Sequence, residues 1–114
     1  VNLLDRDNDH SDIFKHIVKK LCKINNISPR KPRFEHIENL MVISIKNHLK
    51  DGVDSDCFYI LNLIYQIIGP SGIRFHQQLV LYPNSRRVDR VTVSFKKEDF
   101  DTLNMKLLEG SINN

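Results

Sequence analysis

The side chains of this chain that could do chemistry are scattered rather than grouped. Its five histidines, His10, His16, His36, His48 and His76, never take the paired spacing of a helical zinc site, and none neighbours a cysteine. Cys22 and Cys57 stand singly in separate apolar stretches, the pattern of reduced core thiols rather than of a disulfide or a metal centre. Gly69-Pro70-Ser71-Gly72 lacks the Gly-Lys-Ser/Thr element of a phosphate-cradling loop, and its proline removes an N–H that such a loop needs. Asp5-Arg6-Asp7-Asn8-Asp9 sets carboxylates at alternate positions, as a calcium loop does. The later positions fail: His10, Asp12 and His16 stand where calcium asks for glycine, an apolar residue and a bidentate glutamate. Residues 1–10 read instead as an acidic, mobile lead-in to a helix. The expectation is a protein that is not an enzyme, with no cofactor, no metal and no small-molecule substrate.

Charge is the remaining chemistry. The net charge of the 114-residue chain is only +3, yet it is segregated. Seven basic residues and no acidic one fall between Lys15 and Arg33; six basic residues against Asp89 alone fall between Arg74 and Lys97. Most carboxylates lie elsewhere, in Asp5 to Asp12, Asp51 to Asp56 and Glu98 to Glu109. Such segregation builds a basic surface on a nearly neutral protein. Lys19, Lys20, Arg30, Lys31, Arg33, Arg86 and Arg87 are the candidate nucleic-acid contacts. Within them, Ser28-Pro29-Arg30-Lys31 resembles the Ser-Pro-basic-basic turns that chromatin proteins lay in the DNA minor groove. It also resembles a proline-directed kinase site with a basic residue downstream. A phosphate there would add nearly two negative charges to a basic linker.

The elements that must position these residues follow from periodicity. Ile13, Phe14, Ile17, Val18, Leu21 and Ile24 form a helical stripe from Ser11 or Asp12 to about Asn25, with Lys15, His16, Lys19, Lys20 and Lys23 opposite. A linker with Ser28-Pro29 and Lys31-Pro32 leads to a second expected helix, Phe34 to Lys50, with Phe34, Ile37, Leu40, Met41, Ser44, Ile45 and Leu49 on one side. Within it, Met41-Val42-Ile43-Ser44-Ile45 also reads as a strand. Asp51-Gly52 closes that element, and Asp54 or Ser55 can cap a third helix from Cys57 to Ile68, the most apolar stretch of the chain, ended by Gly69-Pro70. Gln77 to Tyr82 and Val88 to Phe95 read as paired strands joined through Pro83-Asn84-Ser85-Arg86-Arg87. Asp99 to Leu108 reads as a short closing helix.

Three N-terminal helices, a two-stranded hairpin and a C-terminal helix make an α+β domain over 11–110 whose element order resembles a winged helix with Arg86 and Arg87 at the tip of its wing. In such a domain the third helix enters the major groove with polar and basic side chains. Here it carries no lysine or arginine, so it would forfeit the electrostatic attraction that dominates affinity for DNA. Its apolar surplus asks for a buried position or a protein partner. The expectation is therefore a protein-interaction or dimerisation domain, contacting its partner through Phe58, Tyr59, Asn62, Tyr65 and Gln66, with the basic segments as auxiliary nucleic-acid contacts. It is expected to be a segment of a larger nuclear protein, with a cytoplasmic one as the alternative. Direct DNA or RNA binding is the alternative function. No run approaches the roughly 18 uncharged residues of a membrane span, and none resembles a signal peptide.

Overall fold

A computed structural model describes residues 11–48 and 56–113. The acidic lead-in with its carboxylate cluster, Leu49 and Lys50, the Asp51-Gly52 turn, and capping by Asp54 or Ser55 lie outside the described residues. The element order is helix α1 (Ser11–Ile24), strands β1 (Pro32–Ile37) and β2 (Leu40–Lys46), helix α2 (Cys57–Ile68), strands β3 (His76–Leu81) and β4 (Val88–Lys96), and helix α3 (Lys97–Asn113). All four strands join one antiparallel sheet in the order β1-β2-β4-β3.

This order rules out the winged-helix-like arrangement of three N-terminal helices and a hairpin. The second helix does not exist; Phe34 to Lys46 is a β-hairpin, paired Pro32↔Ile45, Phe34↔Ile43 and His36↔Met41. The physical reason is an ambiguity of period. Apolar residues at 34, 37, 40, 41 and 45 satisfy a helical stripe, but that reading sets Ser44 on the apolar face. In the strand, Met41, Ile43 and Ile45 are all buried, and Ser44 turns to the opposite side. Only Glu38-Asn39 separates the paired Ile37 and Leu40, with Glu38 at a left-handed φ of 53°. Without the Asn-Gly or Asp-Gly signature, that turn leaves little mark in the sequence.

The strands alternate cleanly. Met41, Ile43 and Ile45 of β2 and Val91, Val93 and Phe95 of β4 face one core with Phe14, Val18 and Cys22 of α1, with Ile60, Ile64 and Ile68 of α2, and with Phe100 and Leu103 of α3. The three helices of the described residues therefore cover the same face. Phe14 lies at the centre, edge-on to Phe34, Phe95 and Phe100 at 6.1, 6.2 and 5.9 Å between ring centres. Asn104, fully buried, accepts the Phe14 N–H at 2.7 Å and donates to the Phe100 carbonyl at 2.9 Å. A buried N–H in the first turn of α1 is thus bonded from α3, 90 residues on.

The helix ends follow local chemistry. Asn26 at φ 61° closes α1; Ile27 N–H reaches the Cys22 carbonyl and Asn26 N–H that of Lys23, with Ile27 tucked into the core. This pair of bonds is a Schellman closure with asparagine in the left-handed position. At the end of α2 the left-handed residue is not Gly69, as the Gly-Pro pair suggests, but Gly72 at φ 74°. Gly69 stays right-handed and a single 3-10 turn, Gly69–Ser71, intervenes. Among the described residues no helix is long and apolar enough to cross a membrane.

Candidate anion-binding face of the sheet

Side-chain alternation that buries one face of the sheet exposes the other, and among the described residues no helix crosses it. Cross-strand rows on that open face read Arg33, Ser44, Thr92, Gln78 and then Glu35, Val42, Ser94, His76; Lys46 stands beside Arg90, and Leu40 beside Lys96. Apart from Ile37, Leu40, Val42 and Val80 the described strand residues of this face are cations or hydrogen-bonding groups, with Glu35 the one carboxylate among them.

The cations converge at one end. A cleft of about 380 Å³ is lined by Ser28, Arg30 and Lys31 from the linker, Arg33 and Glu35 from β1, Ser44 and Lys46 from β2, His48 just beyond, and Arg90 from β4. The linker is held there by its own turn: Ser28 Oγ accepts the Arg30 N–H at 3.3 Å and the Ser28 carbonyl accepts the Lys31 N–H at 3.2 Å. Lys31 also pairs with Asp56, at the mouth of α2, with 3.0 Å between Nζ and Oδ2. The β2 end is pinned by Asn47, whose backbone N–H donates to the Asp89 carbonyl at 2.8 Å and whose Nδ2 donates to that of Val88 at 3.0 Å.

Not all of this charge is available. Lys31 is committed to Asp56, and Arg90 lies 3.6 Å from Asp89. Among the described residues, five cations against Glu35, Asp56 and Asp89 leave a local excess of two positive charges. Among the described residues Arg30, Arg33 and Lys46 have no carboxylate partner, so these three are the cations open to a ligand.

The candidates named from sequence divide accordingly. Arg30, Lys31 and Arg33 come together in the cleft. Arg86 and Arg87 are exposed in the turn between β3 and β4, beyond the same end of the sheet, since Arg90 pairs with Lys46. Lys19, half-buried, and Lys20, exposed, sit on α1 in the helical layer and do not join the cleft. Lys46, Ser44 and His48 were hidden from sequence reasoning inside an expected helix. The visible signal is the alternation Ile43-Ser44-Ile45-Lys46, which matches Arg90-Val91-Thr92-Val93 across the sheet.

The protein-contact candidates lie elsewhere. Phe58, Tyr59, Asn62 and Gln66 form the solvent side of α2, with Phe58 and Tyr59 at 40% and 51% exposure. The remainder of α2 is covered: Cys57, Ile60, Leu61, Leu63, Ile64 and Ile68 are buried, so the sheet itself absorbs most of its apolar surplus. Tyr59 donates to Asn25 Oδ1 at 2.8 Å, tying α2 to the end of α1. Tyr65 is half-buried against Phe75, 5.2 Å between rings, and its hydroxyl has no hydrogen-bond partner among the described residues. Burial raises its pKa. Beside Phe75 the edge strand β3 leaves Leu79 and Leu81 about half exposed.

Cys22 and Cys57 are both buried thiols of the core. Burial raises the pKa of Cys22, with a smaller upward push from Asp56 and an opposing one from Lys31. Comparison with protein-family models, with curated proteins and with solved structures gives no match, so the site is read from its own geometry.

Proposed function

We propose that the chain is a non-catalytic binding domain that holds a nucleic-acid backbone across the open face of its sheet, within a nuclear, nucleic-acid-associated protein. The observation that carries this reading is the convergence of Arg30, Lys31, Arg33, Lys46 and Arg90, from four separate segments, on one cleft beside the Ser44, Thr92 and Gln78 row of the open face. Hydroxyl and amide groups around guanidinium and ammonium ions suit phosphate oxygens. Among the described strand residues no Phe, Tyr or Trp ring lies on the open face, since Phe34 and Phe95 point into the core and His76 is its one imidazole, so base stacking adds little to the recognition. Binding is then indifferent to sequence and governed by salt. Anisotropy of a labelled random-sequence duplex and of a single strand, titrated at several salt concentrations, tests it. Affinity that weakens steeply with salt supports the reading, and a flat response refutes it.

A second reading, a protein contact, is favoured by one feature. Strand β3, from His76 to Leu81, is an edge with no lysine, arginine, acid or proline, whereas the other edge, β1, carries Pro32, Arg33 and Glu35. Natural sheets blunt exposed edges with such residues, and an unguarded one accepts a further strand. Leu79 and Leu81, about half exposed on that strand, would be covered by it. Sedimentation across a concentration series at high salt, with Leu79→Lys as the comparison, separates this contact from the electrostatic one.

A further inference from the structure

We infer that Ser28 is a phosphorylation site whose phosphate closes the basic cleft, switching off its hold on a polyanion. The inference rests on the proposed nucleic-acid reading for its consequence but on the geometry of the linker for its chemistry. Ser28 is exposed, is followed by Pro29 and then by Arg30 and Lys31, and lines the cleft together with Arg33, Lys46 and Arg90. Its hydroxyl oxygen already faces the Arg30 N–H at 3.3 Å. A proline-directed Ser/Thr kinase would transfer the γ-phosphoryl group of ATP. The Oγ–P bond forms as the β–γ anhydride bond breaks, ADP leaves, and the hydroxyl proton passes to the kinase's base. The Lys31–Asp56 pair does not bar access, because both side chains are substantially exposed and such a surface pair holds only weakly.

The product is a near-dianion with three acceptor oxygens. It lands on the wall of a cleft whose three uncommitted cations, Arg30, Arg33 and Lys46, are the ones an incoming phosphate chain would need. Intramolecular placement gives it a local concentration no external phosphate matches. The modified cleft is neutralised from within, and the loop is held against the sheet by its own phosphate.

The test uses the full chain, modified with a purified proline-directed kinase and ATP, with the site read by mass spectrometry. Two measurements follow. In a phosphorus NMR titration, the second ionisation of the Ser28 phosphate should fall below its ordinary pKa of about 6, because neighbouring cations favour the dianion. Arg33→Ala with Lys46→Ala should return it towards that value. In parallel, affinity for a random-sequence duplex should drop by about tenfold or more on modification, while Ser28→Ala carried through the same kinase treatment should bind as it did before treatment. A folded chain that the kinase leaves unmodified at Ser28, or a phosphate that titrates at its ordinary pKa, overturns the inference. If the unmodified chain binds no duplex, the nucleic-acid reading fails, and the titration alone then decides whether the cleft holds the phosphate. If duplex binds equally well before and after modification, the switch is refuted while the cleft's binding function stands.

Discussion

Replacing Asn104 with alanine should cost this domain about 2–3 kcal/mol, the largest single-residue effect expected outside its apolar core. The magnitude follows from what the amide does. Its Oδ1 accepts the Phe14 N–H at 2.7 Å, in the first turn of α1. Phe14 and Asn104 are both fully buried, so water cannot replace the lost acceptor. A buried donor left without a partner costs about 1–3 kcal/mol, and the small void left by the missing amide adds to it. Loss of the second bond, from Nδ2 to the Phe100 carbonyl, adds less, because that carbonyl lies inside α3 and keeps its helical partner. Urea unfolding is the assay, with the midpoint lowered at unchanged slope. In a domain near 100 residues the thermal midpoint should fall by about 4–8 °C per kcal/mol. Asn62→Ala, on the exposed side of α2, is the internal reference and should stay within about 0.5 kcal/mol of wild type. If Asn104→Ala were as mild as that reference, the idea that α3 secures the start of α1 through this amide would be wrong.

Other outcomes follow from the same core. Tyr65→Phe should leave stability unchanged or raise it by up to about 1 kcal/mol, since it deletes a hydroxyl without a partner among the described residues; a clear loss in thermal melting would contradict this. Cys22, buried and with its pKa raised, should resist alkylation in the native state at neutral pH and react on unfolding, as read by mass-resolved labelling. The sign of the linked effect is fixed. The fold favours the protonated thiol, so stability is unaffected below the ordinary thiol pKa of 9.0 and declines as pH rises past it, where the unfolded chain ionises first.

Strong, long periodicities were legible in the sequence. The stripe of α1 and the apolar run of α2 predict helices that the structure places at Ser11–Ile24 and Cys57–Ile68, and the β3–β4 pairing falls within a residue of its expected bounds. The β1–β2 hairpin was not legible as such. Seven residues of β2 are too few to separate a helical from a strand period, and Glu38-Asn39 is a turn without glycine. That one misreading propagates into topology, because losing two strands turns a four-stranded sheet into a hairpin on a helical bundle. It also hides half of the cleft. The basic linker was visible as Arg30, Lys31 and Arg33, but their convergence with Lys46 and Arg90 depends on strand pairing, which no local pattern encodes. Asn104 was equally silent, since its partner is 90 residues away.

The proposed hold of the open sheet face on a phosphate backbone runs through Arg30, Arg33 and Lys46. The most direct measurement is the slope of log affinity against log salt for a random-sequence duplex. Three phosphate contacts predict a slope of about −2.7, and Arg33→Ala with Lys46→Ala should flatten it by about 1.8, while Lys20→Ala, on the helical side, leaves it unchanged. A slope near zero, or one that the double variant does not alter, would contradict the account.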